Sequence, residues 1–266
     1  MLALAIAGCV PDEAAKEKGK PAPAPTPVPP APPPPPPTPV APPPAANPAA
    51  SGSTAPAPSA AAPAKDDALL TAPFADFFDR QELGDDWRTT SNVWRITDGK
   101  LCGRGARNHG VWLKRRLPTN ARIELDATSA SADGDIKLEV WGDGRSHATG
   151  VSYTNATSYV VIFGGWKNQF HVLARIDEHA KDRPEVRIDP DNQDVRARKV
   201  EPNRSYHFKI ERIDGKTVRW FVDDIEILTY PDPQPMKGAG HEHMGFNNWE
   251  VPVCFDNLKI APLPGK

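Results

Sequence analysis

The chain has 266 residues, a formal net charge of −2, and 32 Pro alongside 7 Trp. With charge so nearly balanced and no basic cluster longer than Lys114-Arg115-Arg116, it lacks the surface that neutralises a phosphate backbone, which excludes nucleic acid as the expected partner. Composition also divides it: every Trp, Phe and Tyr lies at or beyond Phe74, whereas residues 21–63 hold 20 of the 32 Pro and no aromatic, too little apolar surface to offset the entropy of ordering.

Taken in order, residues 1–7 are apolar but far short of the roughly 20 needed to span a bilayer, and they lack the basic start of a full secretion signal. Part of a leader is expected to precede them. The run Ile6-Ala7-Gly8-Cys9 resembles a bacterial lipobox, and that resemblance implies a truncated lipoprotein signal over residues 1–9, with Cys9 acylated and holding the protein to a membrane. Val10, rather than an Asp, after the Cys implies the outer membrane of a Gram-negative cell envelope. Residues 10–71 read as a disordered Pro/Ala-rich linker. Six consecutive prolines, residues 32–37, favour polyproline II at about 3.1 Å per residue, a semi-rigid spacer on the order of 130 Å long.

Residues 72–263 have the length of one large all-β domain. Strands are expected over 74–79 and 93–101, the second broken by the hairpin turn Asp98-Gly99, and over 111–113. Residues 122–128 alternate, with Ile123, Leu125 and Ala127 on one face and Glu124 and Asp126 on the other. The next strand repeats the split: Ile136, Leu138 and Val140 inward, Lys137, Glu139 and Trp141 outward. Residues 159–163 and 170–176 form a β-hairpin about Gly164-Gly165, whose second strand points Phe170, Val172, Ala174 and Ile176 inward and His171 and Arg175 outward. A charged insertion over 178–201 reads as a surface loop. Strands over 206–213 and 218–227 flank the turn Asp214-Gly215, and a final pair is expected around 244–247 and 253–260. No amphipathic helix is evident, and strands at this spacing predict a sandwich.

The pieces VWRITDGKL, YVVIFGGWKN, IERIDGKTVRWFVDD and GFNNW followed by FDNLKI resemble the concanavalin A-like lectin and glucanase jelly roll, whose bacterial members include domains of sugar-related function. The resemblance implies two stacked antiparallel sheets and a glycan or envelope polysaccharide as partner. Early and final strands neighbour each other in such folds, which implies a Cys102–Cys254 disulfide as an alternative to two buried thiols.

Glycosidases of this superfamily carry Glu-x-Asp followed by a second Glu on one strand. Here Glu124-Leu125-Asp126-Ala127-Thr128-Ser129 lacks the third acid, and retaining hydrolysis needs two carboxyls roughly 5 Å apart, so only Glu139 on the next strand could complete a pair. Non-catalytic glycan binding is therefore the expected function. Glu124, Asp126, Glu139, Trp141, His171 and Arg175 on the polar face, with Trp166 and Asn168 in the hairpin turn, form the candidate site, because aromatic rings stack on sugar C–H groups while polar side chains pair with hydroxyls. The alternatives are a hydrolase or lyase using Glu124, Asp126 and Glu139, and a structural envelope protein without ligand. His241-Glu242-His243 offers two imidazoles without an evident third ligand, and Asp133-Gly134-Asp135 reads as a plain turn. No metal or cofactor is expected.

Overall fold

Alternation of apolar and polar side chains along residues 121–129 is what a strand with one dry face and one wet face requires, and the chain obeys it. In a computed structural model of the protein the described residues are 68–265; Cys9, the expected signal and the linker up to residue 67 lie outside them. Fifteen strands are present among the described residues: β1 (Phe74–Asp76), β2 (Trp87–Thr89), β3 (Arg95–Thr97), β4 (Lys100–Gly103), β5 (Val111–Leu113), β6 (Ala121–Ser129), β7 (Ile136–Gly142), β8 (Tyr159–Gly164), β9 (Phe170–Arg175), β10 (Glu185–Arg187), β11 (Ser205–Arg212), β12 (Thr217–Val222), β13 (Ile225–Pro231), β14 (His243–Asn247) and β15 (Val253–Pro262).

They pair, antiparallel throughout, into two sheets. The eight-stranded sheet runs β13-β12-β11-β6-β15-β4-β3, with β1 also on β15; the seven-stranded sheet runs β10-β9-β8-β7-β14-β5-β2. One core lies between them, built from residues such as Leu101, Leu125, Leu138, Val161, Leu173 and Ile210. Aromatic contacts join the sheets at both ends. Phe246 of β14 stacks on Phe255 of β15 at 4.4 Å, and Phe163 of β8 meets Phe208 and Trp220 edge-on at 5.6 and 5.9 Å. Cys102 of β4 and Cys254 of β15 sit opposite each other in the ladder and are joined by a disulfide. The Asp98-Gly99 turn takes the expected left-handed pair, φ 50° and 70°, between β3 and β4.

The seven-stranded sheet departs from the expected two-faced pattern because it is buried on both sides. On its outer face Val160, Ile162, Val172 and Ala174 form a second small cluster with Ala148, Tyr153 and Ala156 from the 143–158 connection. Trp112 lies under the same connection, donating from Nε1 to the Ser146 carbonyl at 3.0 Å. Gly142 and Gly245 make room for its indole, since a Cβ on either would sit within 2.9 Å of that ring. The inward and outward sets of β9 are consequently exchanged: Val172 and Ala174 point outward, while His171 and Leu173 face the sandwich.

Candidate functional site

The outer face of the seven-stranded sheet carries a cavity of about 530 Å³, lined by Asp133, Asp135 and Lys137 at the start of β7, Ile162 of β8, the Trp166 turn, Gln169 and Phe170, Ser152, Glu178 and His179, and the Trp249–Val251 loop. Strand pairing explains this convergence. Lys137 is the cross-strand partner of Ile162, and Ile162 of Val172, so β7, β8 and β9 lie side by side beneath it, while the connections after β9 and β14 rise around the rim.

Lys137 is 2% exposed and lies in the floor. Its ammonium donates to Asn108 Oδ1 at 2.6 Å and to Glu178 Oε2 at 2.7 Å. Burial alone would lower its pKa, but the charges of Glu178 and Asp135 hold it above the ordinary lysine value. Glu178 Oε1 also lies 3.4 Å from His179 Nε2. Asp135 accepts from the Trp249 backbone N–H at 3.1 Å through Oδ2, and burial raises its carboxyl pKa, with nearby Lys137 opposing. The two tryptophans, each half-buried, supply aromatic surface. Arg183 lies over the Trp166 ring at 4.3 Å, and the His179 ring meets that indole edge-on at 5.5 Å.

Backbone strain is present in the lining. Asp135, Trp166 and Lys167 have positive φ, at 59°, 52° and 59°, conformations that cost a non-glycine residue on the order of 1 kcal/mol or more and that persist only when surroundings dictate them. At the Trp166 turn the dictating group is Asn168. Its side chain donates to the Ala132 and Val200 carbonyls at 3.0 and 2.8 Å and accepts from Val200 N–H at 3.0 Å, fixing the left-handed turn that carries the indole.

Of the eight residues singled out from sequence, only Trp166 lines the cavity. Asn168 supports it from behind. Trp141 is fully buried in the core: a β-bulge shifts the register between His243 and Met244, Trp141 takes φ 54°, and its ring turns inward against Arg212 at 4.0 Å. His171 also faces inward, stacked on Phe163 at 4.2 Å with both ring nitrogens at backbone partners, and burial pushes its pKa down to about 4. Arg175 pairs with Asp232 at 3.0 Å on the interior side of the sheet. Glu124 and Asp126 lie on the other sheet, beside His207 on its outer surface. They share no cleft with Glu139, so the three-carboxylate arrangement is not formed. His241 and His243 bond separate carbonyls, of Thr157 and Leu113, and no group of three or more His, Cys, Asp and Glu among the described residues could hold a metal ion.

Glu139 does occupy the cavity's face of the sheet, but beneath the 143–158 connection and out of contact with solvent. Its carboxylate receives Tyr153 OH at 2.9 Å, Ser158 Oγ at 2.6 Å and Asn247 Nδ2 at 2.7 Å. Burial outweighs these donors and pushes its pKa up to about 7. A carboxyl raised above its unfolded value near 4.5 stabilises the fold fully below that value and loses the contribution as pH climbs to 7. Relative to Glu139→Gln, the wild-type chain is therefore expected to lose roughly 3 kcal/mol between pH 4.5 and 7.5, measured by urea unfolding; parallel profiles would refute the shift. The comparison with Gln cancels His171, whose depressed pKa acts in the opposite sense.

Asp135, Glu178, His179 and Gln169 are among the cavity residues that the sequence pattern does not mark. One signal pointed toward them: Tyr159–Phe163 is apolar at every position, the mark of a strand covered on both faces, and a covered outer face needs connections folded over it.

The sheet orders define the class of this domain, an all-β sandwich of two antiparallel sheets. No protein-family model matches the sequence, and no curated protein matches it. Among solved structures it is similar to the carbohydrate-binding module CBM66 from Bacillus subtilis, with 17% identity over 67% of this chain and 97% of that one and a TM-score of 0.48. It is also similar to a β-glucanase of Bacillus licheniformis, with 10% identity over 71% and 98% and a TM-score of 0.46, and to the alginate lyase Aly36B, with 10% identity over 73% and 99% and a TM-score of 0.44.

Proposed function

We propose that the protein is an envelope-anchored lipoprotein whose jelly-roll domain binds a glycan without cleaving it. The observation that carries the reading is the cavity itself: two half-buried tryptophans beside a floor of fixed hydrogen-bonding groups, Lys137, Glu178 and Asp135, the combination a sugar ring needs for C–H stacking and hydroxyl pairing. Acylation at Cys9 attaches the chain to the outer membrane, and the Pro/Ala-rich residues 10–71 extend the domain from it. Partition of the expressed chain into detergent, lost in Cys9→Ser, tests the anchor.

Glycan-array screening followed by calorimetry on the full chain tests the binding. Trp166→Ala and Trp249→Ala are each expected to weaken affinity about tenfold or more, because a buried aromatic anchor carries a disproportionate share of binding energy. Unchanged affinity in both variants would remove the cavity as the site.

A second reading, a carbohydrate-active hydrolase, draws on one observation: Asp135, with its raised carboxyl pKa, and Glu178 line the same cavity, so an acid and a base are both at hand. Against it, Glu178 is tied to Lys137 and His179. Release of reducing ends from a bound oligosaccharide, abolished by Asp135→Asn, would establish hydrolysis.

A further inference from the structure

Charge in the cavity narrows the ligand class. Its floor holds three ionisable groups, Asp135, Lys137 and Glu178, and the ion pair among them joins only the last two, at 2.7 Å. Lys137 and Glu178 thus neutralise each other, and Lys137 directs a further N–H to Asn108. Asp135 is left over. Its Oδ2 accepts the Trp249 N–H, its Oδ1 has no hydrogen-bond partner among the described residues, and no ion pair reaches it. The rim adds Asp133, exposed and without a side-chain partner among the described residues; Glu250 of the rim is matched by Arg107 at 3.4 Å, and Lys167 is exposed to solvent. A carboxylate drawn from water without a close partner is costly; Asp135 is half-buried, and burial lifts its pKa with nearby Lys137 opposing. A ligand cation would relieve that cost, and tryptophan faces attract cations as well as sugar C–H groups. A ligand carboxylate would aggravate it at the floor, where Lys137 is already engaged, and would find only the solvent-exposed Lys167 at the rim.

Resting on the glycan-binding reading above, we infer that this cavity selects a glycan carrying an unsubstituted amino group, its ammonium seated between Asp135 Oδ1 and Asp133 with the pyranose ring against Trp166 or Trp249, and that it rejects uronic-acid glycans. The neutral Lys137–Glu178 pair serves the hydroxyls; Asp135 serves the charge.

The test is calorimetric titration of the full chain with four tetrasaccharides of matched length: β-1,4-linked glucosamine, its N-acetylated form, the corresponding glucose oligomer, and an oligouronate. Glucosamine is expected to bind about tenfold more tightly than the neutral sugars, with the oligouronate weakest, and Asp135→Asn is expected to bring the ratio of amine to neutral affinity to within about threefold. If Asp135→Asn does not fold, wild-type protein decides at two ionic strengths, about 50 mM and about 500 mM: an amine preference that shrinks with salt supports the assignment, and a salt-independent one overturns it. Equal affinity for amine and neutral sugars, or a preference for the uronate, also overturns it while leaving the glycan-binding reading in place. Failure of all four sugars, together with a blank array, sinks that reading instead.

Discussion

Replacing Lys137 by methionine is expected to destabilise the domain by about 3–5 kcal/mol, because the substitution preserves the volume of the side chain but strands its partners. Lys137 is 2% exposed and Glu178 5%, so the Glu178 carboxylate, with little of its surface open to the cavity, loses its close cation, and Asn108 Oδ1, on a residue 1% exposed, loses its donor as well. The nearby carboxyl of Asp135 loses the positive charge that opposes its protonation. Urea unfolding of the full chain measures the loss. The double variant Lys137→Met/Glu178→Gln should recover part of it, since the orphaned charge is removed too. A single-variant loss below about 1 kcal/mol would mean that Glu178 finds solvent and that the pair is not buried as described.

Removing the disulfide is the second large effect. Cys102 and Cys254 are 152 residues apart, so the bridge closes almost the whole domain into one loop, for which chain entropy alone gives roughly 5 kcal/mol. Measured effects usually fall short of that figure, and Cys102→Ser/Cys254→Ser is expected to lose about 3–4 kcal/mol in thermal unfolding at fixed pH. Wild-type protein treated with reductant should move to the same midpoint. If reductant leaves that midpoint unchanged, and the variant matches wild type, the two cysteines are not bridged. The bridge joins β4 to the β15 strand that also pairs with β6 and β1, so its loss frees the edge of the eight-stranded sheet first.

Most of the fold could be read along the chain wherever one strand face meets solvent. On β6 the buried Ile123, Leu125 and Ala127 and the half-exposed Glu124 and Asp126 fall as period two requires. On β7 and β9 period-two alternation does not report direction, for two separate reasons. A bulge opposite His243 and Met244 rotates Trp141 by one position, and a one-residue slip sends a side chain through the sheet. On β9 both faces are covered, so apolar residues on either side are equally at home and polarity no longer reports direction. His171 shows the consequence: as a neutral imidazole bonded on both nitrogens it is an acceptable interior residue, indistinguishable in sequence from an exposed one.

The hairpin turn was legible for a different reason. Gly164-Gly165 followed by Trp166, Lys167 and Asn168 announces a reversal, and a large aromatic in such a turn already suggests a surface role; Trp166 alone among the eight candidates lines the cavity. Its partner Trp249 lies 83 residues away in sequence, and Glu178 falls in a segment that pattern reading treats as plain charged loop.

By itself, the amino-acid sequence determined the all-β class, the hairpins at Asp98-Gly99 and Asp214-Gly215, and the separation of a Pro/Ala-rich N-terminal stretch from an aromatic-rich domain, because each depends on local backbone preference or composition. Only the tertiary structure decided which carboxylates meet. Glu124 and Glu139 are set on opposite sheets and Asp135 and Glu178 around one cavity by strand order, and strand order is a non-local choice made by two sheets burying a common core and by connections closing over an outer face.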